Sequence, residues 1–134
     1  MKFKFIILIL LCLIVTALIM INGNTSLFQN NQNDITIGVI APLSGELGMY
    51  GNSMKAALEL SSKQINNKIN NKNIKFIFED GKCDGKTSAE VANKLINIDN
   101  VDFILSGCSS ESLSIAPIAE QNKKIHISVC ASSP

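Results

Sequence analysis

The chain has 134 residues, with 12 Lys and Arg against 11 Asp and Glu, so its formal net charge is only +1. A balanced charge without a clustered basic face argues against a nucleic-acid partner. The hydrophobic content of 46% is raised by the amino-terminal segment. About 100 residues are then left to fold, which is a common size for one small domain.

The amino terminus has the layout of a secretory signal. Two lysines precede an apolar run from Phe5 to Ile21, and the sequence turns polar at Asn22. The run is long for a signal core and short for a membrane span, so a retained anchor stays an alternative. We therefore predict an exported, periplasmic or extracytoplasmic protein with a signal peptide or anchor at residues 1–22 and a flexible, Asn- and Gln-rich linker at residues 23–34.

The remaining residues alternate between predicted strands and predicted helices. Short runs rich in β-branched and aromatic residues predict strands at Ile35–Ala41, Ile74–Phe78, Val101–Leu105 and Ile125–Val129. Apolar residues at three- and four-residue steps predict a long helix that begins near Tyr50 to Ser53 and whose apolar face continues to Ile69. The same spacing predicts further helices at Lys86–Ile98 and Ser109–Asn122. A turn is predicted at Asn66–Asn73. Pro117 predicts that the third helix starts near Ser114 or is kinked.

This alternation predicts an α/β fold, with a doubly wound parallel sheet that carries helices on both faces. In such sheets, ligands bind beyond the carboxyl ends of the strands, where the strand order reverses. The corresponding segments here are residues 41–51, 79–85, 107–111 and 130–134.

Two cysteines are expected at this edge of the sheet. Cys83 follows the second predicted strand and Cys108 follows the third, which in an exported chain favours a disulfide. It would close a loop of about 25 residues and contribute roughly 3 kcal/mol. Two free thiols or a metal-binding pair are the alternatives, although metal evidence is weak without a neighbouring His or second cysteine pair. Cys130 has no predicted partner.

Polar residues at the same edge are candidate ligand contacts. Ser109 lies at the start of the third helix, where free N–H groups and the helix dipole favour a carboxylate, although serine there is also an ordinary cap. Ser132 adds a hydroxyl after the fourth strand, and Tyr50 could cover an apolar part of a ligand. His126 lies within a strand, where a structural role is expected. We find no catalytic, cofactor or metal motif, so binding is favoured over catalysis.

Three stretches resemble the amino-terminal lobe of type I periplasmic solute-binding proteins of the Leu/Ile/Val-binding family. They are IGVIAPLSGELGMYGNSMKAALEL (37–60), FEDGKCDGKTSAEVANKLI (78–96) and ILSGCSSESLSIAPIAEQNKKIHISVCASSP (104–134). The P-L-S-G loop, the E-D-x-x-C-D turn and G-C-S-S followed by A-P-I-A-E are specific in combination. The resemblance covers residues 35–134, which would form a partial lobe.

The resemblance implies roles for individual residues. Cys83 and Cys108 match the family disulfide, while Ser109 and Ser132 match positions that bind the carboxylate and amine of an amino acid. Tyr50 matches a residue of the side-chain pocket. Cys130 stands where a small residue offers its backbone carbonyl, and this departure puts pocket volume and redox inertness in question.

The resemblance also implies the receptor of an ABC importer, with an amino acid as ligand and a membrane permease as partner. A second lobe would close over the ligand by a hinge, and its sequence would lie beyond residue 134, so the chain reads as a truncation or fragment. A membrane-anchored sensory ectodomain for amino acids or amides, and an exported hydrolase, are the alternatives.

Overall fold

The computed structural model describes residues 34–132. In chain order these residues form β1 (Asp34–Ala41), α1 (Gly48–Gln64), β2 (Lys68–Ile69), β3 (Lys72–Asp80), α2 (Gly85–Asn97), β4 (Phe103–Ser106), α3 (Ser109–Gln121) and β5 (Ile125–Ser128). The predicted signal or anchor and most of the predicted linker lie outside this range. Within residues 34–132, no helix is both long and apolar enough to cross a membrane.

The strands form one five-stranded sheet in the order β2-β3-β1-β4-β5. β1 pairs in parallel with β3 on one side and with β4 on the other, and β4 pairs in parallel with β5. The predicted α/β fold is therefore confirmed for these four strands. The chain passes from β1 to β3 on one side and then crosses to β4 on the other side of β1. The strand order therefore reverses beside the carboxyl end of β1, where a ligand crevice is expected.

The prediction of a wholly parallel sheet is wrong at one edge. β2 pairs antiparallel with β3, with Ile69 opposite Lys72. The two-residue connection consists of Asn70 and Asn71, at φ 49° and 64°, as a type I′ hairpin requires. Asparagine tolerates this left-handed backbone, so the predicted turn contains a hairpin.

The first helix is also shorter than its apolar spacing predicts. It ends at Gln64, and Asn66 and Asn67 follow with φ of 55° and 53°. A right-handed helix cannot continue through this left-handed backbone. Ile69 consequently belongs to β2, and its three- and four-residue spacing from the apolar residues of α1 is a coincidence.

The main core lies between the sheet and the helices α2 and α3. Its buried residues include Ile40 and Ile104 from the sheet, Leu95 from α2 and Ile115 from α3. Asp84 caps α2, since its carboxylate accepts a hydrogen bond from the backbone N–H of Thr87 at 2.8 Å. The cap fixes where the chain turns from the sheet edge into the helix.

Helix α1 contacts the opposite face of the sheet. Ile77 packs against the main core, so its neighbours Phe76 and Phe78 point to the other face, because side chains alternate along a strand. There the ammonium group of Lys55 in α1 lies 5.0 Å from the centroid of the Phe78 ring. Coverage of this face is incomplete, since Ile125 and Ile127 of the edge strand β5 are 58% and 52% exposed.

Helix α3 runs from Ser109 through Pro117 to Gln121 without interruption. The predicted start near Ser114 is therefore wrong. Pro117 cannot donate a hydrogen bond to the carbonyl of Leu113 four residues earlier. Both residues are exposed, so water can satisfy that carbonyl, which explains why the proline is tolerated.

Candidate functional site

The loops that follow β1, β3, β4 and β5 meet at the carboxyl edge of the sheet. The backbone N–H groups of Gly81 and Gly107 donate to the carbonyls of Ala41 and Ile40, and that of Val129 donates to Ser106, at 3.0 Å in each case. These bonds continue the parallel ladders beyond the strands. The segments predicted to form the binding edge are therefore adjacent.

A disulfide joins two of these loops. Cys83 and Cys108 are bonded, with their Cα atoms 5.5 Å apart and a sequence separation of 25. The predicted disulfide is confirmed, which removes the alternatives of two free thiols or a metal pair. Cys130 is a free, exposed cysteine. Among residues 34–132, no group of three His, Cys, Asp or Glu side chains is arranged to hold a metal ion.

A buried carboxylate, which the sequence did not single out, lies behind the disulfide. Glu111 is 0% exposed. Its Oε1 accepts a hydrogen bond from the backbone N–H of Cys83 at 3.1 Å, and its Oε2 accepts from those of Gly107 and Cys108 at 3.2 and 2.9 Å. Burial is the main reason that the pKa of Glu111 is raised, and the charge of Asp80 adds to it, although the three N–H groups oppose the shift.

Asp80 holds the loop that follows β1. Its carboxylate accepts hydrogen bonds from the backbone N–H groups of Leu43 and Lys82, at 2.9 and 3.1 Å, and from the hydroxyl of Ser44. Burial raises the pKa of Asp80, but these hydrogen bonds together outweigh it and leave the pKa lowered. The acidic residue at this strand end thus fastens one loop to the next.

The first turn of α1, which carries Tyr50, is also fixed against this loop. The side-chain amide of Asn52 donates to the carbonyls of Leu43 and Gly48, at 3.1 and 2.7 Å. A β-carbon at Gly51 would lie 2.0 Å from the carbonyl oxygen of Pro42, so only glycine permits this approach. Tyr50 projects from the resulting turn and is 66% exposed.

An apolar groove of about 560 Å³ begins at this edge and runs along α1. Tyr50 and Cys130 line it, together with Cys108 of the disulfide. Val129, after β5, also lines it at this edge, and Met54, Ala57, Leu58 and Ser61 line it along α1. No charged side chain lines this groove, so it suits the apolar part of a ligand.

The two candidate serines contact each other beside the groove. The backbone N–H of Ser132 donates to the hydroxyl oxygen of Ser109 at 3.1 Å. Ser110, the next residue of α3, donates through its hydroxyl to the carbonyl of Cys83 at 2.5 Å. The structure thus places Ser109 and Ser132 together, while Tyr50 and Cys130 lie on the wall of the adjoining groove.

His126 belongs to a separate cluster of hydroxyl groups between β4, β5 and α3. Its Nε2 lies 2.8 Å from the hydroxyl of Ser106, which lies 2.8 Å from that of Ser112; Ser112 in turn lies 2.7 Å from Ser128. Burial lowers the pKa of His126. Ser106 is 0% exposed, so this serine–histidine contact cannot reach a substrate, and a structural role explains it.

Comparison with known proteins identifies the family. A family model described as periplasmic binding protein matches residues 34–134, which are all the residues that form the sheet, its helices and the candidate site. The chain belongs to the periplasmic binding protein family. The resemblance drawn from the sequence motifs is thereby confirmed.

Curated members of the periplasmic binding protein family align over 75% of the chain. The "Leucine-, isoleucine-, valine-, threonine-, and alanine-binding protein" of Pseudomonas aeruginosa is 30% identical over 103 residues, and the Leu/Ile/Val-binding protein of Escherichia coli is 29% identical over 104 residues. The chain spans 27% and 28% of the length of these two relatives.

Solved periplasmic binding proteins share the fold. A solute binding protein of an ABC transporter from Rhodopseudomonas palustris, in complex with 3,4-dihydroxy benzoic acid, is 26% identical with a TM-score of 0.71. A branched-chain amino acid transporter substrate binding protein from Streptococcus pneumoniae, in complex with isoleucine, is 24% identical with a TM-score of 0.70. Each comparison covers 75% of this chain, and 28% and 30% of the respective structures.

Proposed function

We propose that this chain provides one docking face of an extracytoplasmic solute-binding protein for branched-chain or related amino acids, which delivers its ligand to the permease of an ABC importer. The observation that carries the proposal is the contact between Ser109 and Ser132 beside an uncharged apolar groove. A small molecule with a carboxylate at one end and an apolar body at the other matches this pairing of surfaces.

The carboxylate of the ligand would bind at the first turn of α3. The positive end of the helix dipole favours an anion there, and the hydroxyls of Ser109 and Ser132 would add donors. The family resemblance assigns the ligand amine to the backbone carbonyl of Cys130. The ring of Tyr50 and the groove beneath it would cover the aliphatic side chain.

One docking face leaves the other side of the ligand in water. We propose that a second lobe closes over it by a hinge, because closure is driven by contacts that exist only in the closed state. We therefore expect weak or undetectable binding of L-leucine by residues 22–134 alone. Calorimetry that gave micromolar affinity for this segment would contradict the requirement for a second lobe.

The chemistry of recognition can be tested even when binding is weak. Amide resonances of the ¹⁵N-labelled chain would be followed by NMR during titration with L-leucine, with 4-methylpentanoate, which lacks the amine, and with 3-methylbutylamine, which lacks the carboxylate. We expect L-leucine to shift the resonances of Ser109 and Ser132 most strongly, and 3-methylbutylamine to leave them in place. If 4-methylpentanoate acted as strongly as L-leucine, the ligand class would be a plain carboxylate rather than an amino acid.

Matched variants separate this site from general effects on the helix. Ser109→Ala should abolish the response to L-leucine, whereas Ser114→Ala, one turn further along α3, should preserve it. An unchanged response in Ser109→Ala would refute the assigned role of this hydroxyl.

Export to the periplasm is part of the proposal, because the periplasm is the compartment in which such receptors meet their ligands. Amino-terminal sequencing of the exported protein tests it and distinguishes a soluble receptor from an anchored form. A new terminus near residue 22 indicates a cleaved signal, whereas a membrane-bound protein that retains Met1 indicates an anchor and favours the sensory alternative.

A further inference from the structure

The buried carboxylate of Glu111 connects the two loops of the disulfide from within the protein. One oxygen accepts from Cys83 in the loop after β3, and the other accepts from Cys108 at the start of α3. Gly107 contributes a third N–H, which it shares with the carbonyl of Ile40 at 3.0 Å. The first turn of α3 is therefore held by a charge-assisted contact as well as by the covalent bond.

The surrounding backbone is shaped to admit this carboxylate. A β-carbon at Gly81 would lie 2.4 Å from Oε1 of Glu111 and 2.6 Å from Cγ2 of Ile40. Gly81 is itself buried, so a side chain there would displace the carboxylate and also clash with Ile40 and Ser88. The absence of a side chain at Gly81 and the position of Glu111 thus depend on each other.

We propose that Glu111 is a positioning residue of the candidate site, which fixes the first turn of α3, and with it Ser109, relative to the Cys83 loop. What this turn then binds rests on the function proposed above. A carboxylate suits the role because it offers acceptor oxygens in two directions. The amide of glutamine has the same shape but turns an NH₂ group towards one of the N–H donors.

The test is hydrogen exchange of individual backbone amides, measured by NMR on the full chain. Glu111→Gln is compared with the wild type and with Glu120→Gln, which neutralises an exposed carboxylate in the same helix. We expect the amides of Cys83 and Cys108 to exchange at least tenfold faster in Glu111→Gln, and the resonances of Ser109 and Ser132 to shift. In the core strand β4, the amide of Ile104 should keep its protection, and Glu120→Gln should match the wild type.

Two results would overturn the proposal. Equal acceleration at Cys83, Cys108 and Ile104 would show that Glu111 only stabilises the fold as a whole, and unchanged exchange at Cys83 and Cys108 would show that it holds neither loop. Should Glu111→Gln fail to fold, the wild type decides: slow exchange at both amides supports the proposal, and exchange at the rate of an open loop refutes it. These measurements need no ligand, so their failure is distinguishable from failure of the proposed function.

Discussion

Removal of the disulfide tests how the binding edge is held together. The double substitution Cys83→Ala and Cys108→Ala opens a loop of 25 residues and leaves neither of the two positions with a free thiol. In the chain-entropy model, a loop of this length removes about 12 cal/mol/K from the unfolded state, which is about 3.5 kcal/mol at room temperature. Because small domains are stable by only about 5–15 kcal/mol, we expect the loss to be a large fraction of the total.

Urea unfolding followed by circular dichroism measures this loss. With a denaturant slope of about 1.5–2 kcal/mol per molar urea, the midpoint should fall by about 2 M. Cys130→Ala is the matched control, since it removes an exposed thiol from the same edge and leaves the disulfide in place. A loss below about 1 kcal/mol in the double variant would refute the entropic reasoning. It would mean that the unfolded chain is already restricted by residual structure when the disulfide is absent.

Three further predictions concern single residues. The lowered pKa of His126 means that its stabilising neutral form is fully present above about pH 6.5 and is lost as the pH falls. The free energy of unfolding should therefore drop between about pH 7 and pH 5 more in the wild type than in His126→Gln. Iodoacetamide should label Cys130 without denaturant, but Cys83 and Cys108 only after reduction, as peptide mass spectrometry would show. Gly51→Ala should lower stability by about 1–3 kcal/mol in urea unfolding, because its β-carbon would meet the Pro42 carbonyl; an unchanged midpoint would contradict this contact.

The parallel part of the fold could be predicted because each strand contains a short run rich in β-branched and aromatic residues, and the runs are separated by segments of helical periodicity. The strand predicted at Ile35–Ala41 is observed at Asp34–Ala41, since a strand buried on both faces leaves a clear signal. The hairpin at Asn70 and Asn71 could not be separated from an ordinary turn, because its strand β2 has only two residues, both exposed. The two asparagines were its only local signal, and they suit several turn types.

The location of a candidate site residue could be predicted where its position after a strand determines it. It could not be predicted where tertiary packing determines it. Parallel strands bring their carboxyl ends to one edge, which predicted that Cys83, Cys108, Ser109 and Ser132 share this edge; the contact between the two serines is seen only in the structure. Glu111 escaped notice because glutamate in a first helical turn is usually a solvated residue. The bonds to Gly107 and Cys108 are local, but Gly81 and Cys83, which complete the buried surroundings of this carboxylate, are distant in sequence.

The structure combines a rigid frame with an uncovered surface, and this contrast bears on how such a site would work. The disulfide and Glu111 fasten the first turn of α3 to the Cys83 loop, and Asp80 fastens that loop to the loop after β1, so the position of Ser109 would cost little to maintain if a ligand bound there. Tyr50 and Val129 on the groove, by contrast, are 66% and 51% exposed and would gain burial only when another surface covers them. Affinity on this view depends mainly on the covering surface, whereas the frame determines orientation. Changes in the frame should therefore alter which end of a ligand is held, while changes in the groove should alter how tightly it is held.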